Sequence, residues 1–145
     1  MMRSLIYLLP VLALGCGRAA VDPQARDVYP VAGTITYQGR PICDGVVRFH
    51  PVKEFDDGKP FILPRGVVDE EGNMIVSTYG TGDGAPAGEY RLSISWQGPL
   101  EGVDEDEEDL LPELIPRKYR NPETSGLYCV VSEIPENLIP PVELN

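Results

Sequence analysis

Between Glu89 and Trp96 polar and apolar side chains alternate without a break, with Tyr90, Leu92, Ile94 and Trp96 on one parity and Glu89, Arg91, Ser93 and Ser95 on the other. A period of two marks a strand with one buried face, so this segment predicts a central strand whose four apolar residues point inward. Shorter pieces repeat the pattern. Val31, Ile35 and Tyr37 share a face opposite Thr34 and Thr36, and Val47 and Phe49 oppose Val46, Arg48 and His50 before Pro51 ends the run. That parity places His50 at the surface. Leu127, Cys129 and Val131 share a face in a run ending at Ser132. Turn residues separate the pieces at spacings of roughly eight to fifteen residues, the pattern of an all-β sandwich. With 15 Gly and 15 Pro among 145 residues, no segment reads as a long helix.

The connections carry their own signals. Asp69-Glu70-Glu71-Gly72-Asn73 reads as a turn that joins Val67-Val68 to the run from Met74 as a hairpin, with Gly72 and Asn73 able to take positive φ. The segment 61–68 predicts a strand interrupted at Pro64, and the proline-limited stretch 137–144 an edge strand or docked tail. The Gly-rich run 80–88 is no phosphate cradle, because a P-loop needs a Lys and a following helix, whereas this run holds Asp83 and leads into a strand. Its glycines and Pro86 shape a tight crossover instead. No cofactor motif is present in the sequence.

The formal net charge is -11, from 12 basic and 23 acidic residues. Such a balance excludes nucleic acid as a partner, since neutralising phosphates requires a basic surface. Seven of the nine residues from Glu101 to Asp109 are acidic. A block of like charge repels itself and predicts an extended, exposed, solvated loop. The competing reading is a Ca²⁺-dependent adhesion or surface module, with Asp104, Asp106 and Glu108 as the candidate ligands. A charge run without fixed ligand geometry favours the solvated loop.

The first residues give an address. Arg3 is followed by an apolar run from Leu5 to Leu14, far shorter than the roughly 20 residues of a membrane span. The run ends in Leu12-Ala13-Leu14-Gly15-Cys16, which resembles the lipobox of bacterial lipoproteins. By that resemblance residues 1–15 are a signal peptide, Cys16 is lipidated and becomes the mature N-terminus, and two acyl chains anchor the protein where one would not suffice. Ordinary secretion with cleavage near Ala19 or Ala20 is the alternative. Residues 16–28 read as the lipidated cysteine and a flexible tether, and 29–145 as the folded domain. Two cysteines then remain, Cys43 and Cys129, in a compartment where thiols can pair. They form either one disulfide or two buried free thiols. Neither has a base within a recognisable spacing, because the single histidine, His50, is tied to no cysteine by motif, and the body offers no nucleophile and base pair.

Several stretches together carry a family resemblance: Tyr29-Pro30-Val31 through Tyr37, Val47-Arg48-Phe49-His50-Pro51, Asp69 through Asn73, Thr78-Tyr79 with Gly82 through Tyr90, Arg117-Lys118-Tyr119, and Asn121 through Leu127. Over residues 29–144 the chain resembles the small bacterial lipoproteins that carry a carboxypeptidase regulatory-like, or transthyretin-like, domain. The resemblance implies a Greek-key β-sandwich of about seven strands, transthyretin-like or immunoglobulin-like, with no established catalytic residues. The expected function is therefore that of a non-enzymatic, lipid-anchored module facing the periplasm or exterior. Its partners would be the membrane, through the anchor, and an envelope protein or polysaccharide. The transthyretin-related hydrolases of purine breakdown share the fold but use several histidines and a Tyr-Arg-Gly-Ser ending. This chain has one His and ends Pro-Val-Glu-Leu-Asn.

Overall fold

The computed structural model describes residues 22–108 and 110–145, without the side chains of Glu105 and Glu108. The expected signal 1–15, Cys16 and residues 17–21 of the tether lie outside the described residues, as does Asp109 of the acidic block. The strands are β1 (Val31–Tyr37), β2 (Arg40–Pro41), β3 (Val46–Pro51), β4 (Arg65–Val68), β5 (Asn73–Ser77), β6 (Gly88–Ser95), β7 (Tyr128–Val131), β8 (Asn137–Leu138) and β9 (Val142–Leu144). Apart from one helical turn, α1 (Glu105–Glu108), and a 3-10 turn, Arg117–Arg120, the described elements are all strands.

The protein is all-β, one hydrogen-bonded sheet curled around a single core. Its order is β2-β1-β5-β4-β3-β6-β7, and β8 and β9 add to β1 in parallel. Antiparallel β3, β4 and β5 lie side by side, and β6 returns to the free side of β3. The resulting order 6-3-4-5 is a Greek key. Alternation decides which face turns inward. In β6, Tyr90, Leu92 and Ile94 are buried, and they meet Val47 and Phe49 of β3, Val68 of β4, Met74 and Val76 of β5, and Cys129 and Val131 of β7 in one cluster. Phe49 and Tyr90 pack edge to face with centroids 5.8 Å apart, a geometry that adds to area burial.

Segment 113–120 covers the exposed end of β6. Trp96 donates its backbone N–H to Glu113 (2.8 Å), and Leu114 donates to the Trp96 carbonyl (2.8 Å). Farther along, the buried Tyr119 hydroxyl accepts from the Asn145 N–H (3.0 Å) and donates to its carbonyl (3.2 Å), tying the 3-10 turn to the chain's last residue. The tail 137–144 is docked on β1, as one of its two expected forms required.

Local departures have local causes. The expected strand 61–68 keeps only Arg65–Val68, because Pro64 has no N–H to add to a ladder. Its carbonyl instead accepts from the Phe49 N–H at 3.1 Å. Gly72 takes the positive φ expected of the hairpin turn (89°), whereas Asn73 already begins β5. The turn is held by Asp69, whose carboxylate accepts from the N–H groups of Glu71 and Asn73 at 3.0 and 2.8 Å. In the acidic block, residues 105–108 form a helical turn where an extended loop was expected, closed by an N–H of Glu107 donating to the Asp104 carbonyl (2.8 Å).

Candidate functional site

The register of β3 and β6, together with segment 113–120, assembles a polar groove on the outer face of the sheet. Arg48 of β3 lies opposite Arg65 of β4 on one side and Ser93 of β6 on the other. Two pairs along, on the same face, His50 faces Arg91. The groove encloses about 360 Å³ and is lined by Arg48, Ser93, Ser95, Gln97, Glu113 and Arg120. Arg120 arrives from the 3-10 turn, where Glu113 approaches it at 3.6 Å while also accepting the Trp96 N–H.

His50 is half-buried, and its Nε2 lies 2.8 Å from the Ser93 hydroxyl. A nucleophile and a base therefore do meet, which corrects the expectation that the body holds no such pair; their positions on neighbouring strands were invisible as a spacing. Burial lowers the His50 pKa from its ordinary value, and the charge of Arg48 lowers it further. The ring is thus neutral near pH 7. Among the described residues no carboxylate bonds the ring to orient it, and Ser93 is only 4% exposed.

The two cysteines are separate. Cys43 and Cys129 are both free thiols, and the possible disulfide is corrected. Cys129 pairs with Tyr90 at the start of β6, whereas the carbonyl of Cys43 accepts from Trp96 Nε1 (2.8 Å) just past its end. Six residues of strand separate those points, about 20 Å at 3.3 Å each, against the roughly 7 Å limit for Cα atoms of a disulfide. Cys129 faces the core as its parity predicts, and burial pushes its thiol up to about 12. Cys43 lies ahead of β3, outside the alternation. Its thiol is raised by burial and then by neighbouring Asp44. Neither is a thiolate nucleophile at neutral pH.

Of the residues expected to belong to a flexible tether, Ala25 and Arg26 are docked on the body, whereas 22–24 are exposed. The side chain of Arg26 is 5% exposed and pairs with Asp57 through both guanidinium Nε (2.8 Å) and an NH₂ group (2.5 Å). It also donates to the carbonyls of Lys59 (2.8 Å) and Pro60 (2.7 Å). Its plane lies 4.7 Å from the Phe55 ring, which stacks on Phe61. The Arg26 backbone N–H donates to the Tyr79 hydroxyl at 3.0 Å. The hydrogen bond from Arg26 holds the Asp57 carboxyl below its ordinary pKa, so the latch is complete above the usual carboxylate range and is lost as pH falls through the lowered value. In Arg26→Ala, Asp57 and two loop carbonyls lose their donor. Melting is expected to fall by several degrees, and limited trypsin digestion to cut after Lys53 sooner than in the parent chain. Unchanged melting and cleavage would show that the latch is decorative.

Asp104 and Asp106 are exposed. Among the described residues no group of three or more His, Cys, Asp or Glu side chains converges as a metal site. No helix among the described residues is long and apolar enough to cross a membrane. Compared with known protein families, curated proteins and solved structures, the chain matches none.

Proposed function

We propose that the chain is a lipid-anchored lipoprotein of the bacterial cell envelope whose carboxypeptidase regulatory-like domain works as a binding or structural module and not as an enzyme. The observation that carries this reading is the short apolar run ending in Gly15-Cys16, followed within a few residues by an all-β body. Six residue steps from Cys16 to Asp22 span at most about 20 Å. The Arg26 latch begins almost at once, so the anchor and the body are held close together. A buried serine, a histidine with no carboxylate partner among the described residues and two thiols raised by burial support the non-enzymatic part.

The test is metabolic labelling with a clickable palmitate analogue in a bacterial host that processes lipoproteins. The full chain is expected to carry the label and fractionate with membranes, and Cys16→Ser to lose the label and leave the membrane fraction. A native chain without label would sink the anchor.

A further inference from the structure

The outer groove holds positive charge where the rest of the chain would readily supply negative charge. Arg48 and Arg65 are direct cross-strand partners, and like charges in that position destabilise a sheet. The chain has 23 acidic residues. Yet among the described residues no carboxylate comes within ion-pair distance of either arginine. The one side-chain bond of Arg48 is a long contact of 3.4 Å to the Ser95 hydroxyl. A second cation, Arg120, reaches the same groove from a different element. Glu113, also in the lining, meets it at 3.6 Å through Oε1 while its Oε2 accepts the Trp96 N–H, so Arg48 is the lining cation without a carboxylate partner among the described residues. Between the two arginines stand the hydroxyls of Ser93 and Ser95, with Ser93 fixed by His50.

We infer that this groove binds a tetrahedral oxyanion, a phosphate either free or as the terminal monoester of a sugar. Guanidinium groups from two walls and hydroxyls from the floor match an anion that presents oxygens in several directions. Phosphate bound there would neutralise Arg48, whose cross-strand neighbour Arg65 lies outside the groove lining. A cavity of about 360 Å³ exceeds what the ion alone needs, since a water occupies about 30 Å³, and it lies at the lower end of ligand-site volumes. The inference deepens the reading of the domain as a binding module, but it is independent of the anchor, because phosphate binding and the fate of the palmitate label are separate measurements.

The full chain, purified in detergent, is titrated with sodium phosphate at constant ionic strength while backbone amide signals are followed by NMR. Saturable shifts are expected at Arg48, His50, Ser93 and Ser95. Affinity should weaken about tenfold in Arg48→Gln and again in Arg120→Gln, the loss of one charge-assisted bond each. Arg40→Gln, on exposed β2 outside the groove, should bind as the parent does. Both groove variants change exposed side chains on different elements, and a parent-like circular dichroism spectrum confirms that they fold. A parallel titration with glucose 6-phosphate separates the sources: tighter saturation of the same signals identifies a sugar monoester, and equal or weaker saturation the free ion. Absence of saturable shifts, or saturation that survives in the chain carrying both groove substitutions, overturns the site.

Discussion

The chain carrying Ile94→Asp is expected not to fold. Ile94 is 1% exposed and sits near the C-terminal end of β6, opposite Val47 of β3, on the face that turns into the core. Replacing it removes about 1.5 to 3 kcal/mol of apolar burial. It also places a carboxylate where no donor waits, at an effective penalty of several kcal/mol more. A domain of this size has about 5 to 15 kcal/mol in all, so the sum reaches the stability of the fold. The far-UV circular dichroism of the variant should lack the β signature and its thermal scan should lack a cooperative transition. Ile94→Val keeps the chemistry and gives up one methylene, for about 0.5 to 1.5 kcal/mol. It should melt cooperatively below the parent. Cooperative melting of Ile94→Asp near the parent value would mean that β6 is not the strand around which the core is built.

That strand was readable from alternation because burial on one face imposes a period of two, and the period survives whatever the neighbours are. Neighbours are what alternation omits. Parity placed Ser93 and His50 outward, where they are, but the closeness of their polar atoms depends on the β3/β6 register, which is set by a return connection of more than thirty residues. The same holds for Arg48 and Arg65. Parity also made Cys129 core-facing, correctly, yet could not show that Cys43 lies at the other end of β6, because a face is not a height along a strand. Arg26 escaped for a different reason. It stands in a stretch without periodicity, and its burial is made tolerable by Asp57 and the carbonyls of residues 59 and 60, thirty residues downstream. The available signal was the pair Phe55 and Phe61 bracketing Asp57 in a loop otherwise polar, an arrangement suited to stack and pair a guanidinium.

Gly84→Ala should be the most damaging single-methyl change in the glycine-rich crossover, and its cause differs from that of Ile94. Gly84 holds φ at 97° where the chain before β1 crosses the start of the β6 approach. A Cβ built there would lie 1.8 Å from the Tyr29 carbonyl oxygen and 2.4 Å from its carbon, both backbone atoms that cannot turn aside. The obstruction falls on a bridge in which Tyr29 donates to the Ala85 carbonyl (2.9 Å) and Ala85 to the Tyr29 carbonyl (3.1 Å). Making room for a methyl group breaks both bonds, at about 1 kcal/mol each, and adds about 1 to 2 kcal/mol for a side chain in the left-handed region. The total is on the order of 4 kcal/mol, a large part of the stability of the fold. Gly39 provides the control, since it has a φ of 75° but nothing within 4 Å of a built Cβ. Gly39→Ala should therefore lose only the conformational part. Chemical denaturation of the two variants separates the contributions: a midpoint shift for Gly84→Ala several times that for Gly39→Ala locates the cost in the Tyr29 contact. Equal shifts would assign it to backbone conformation alone, and the clamp that joins the N-terminal segment to the crossover would lose its role.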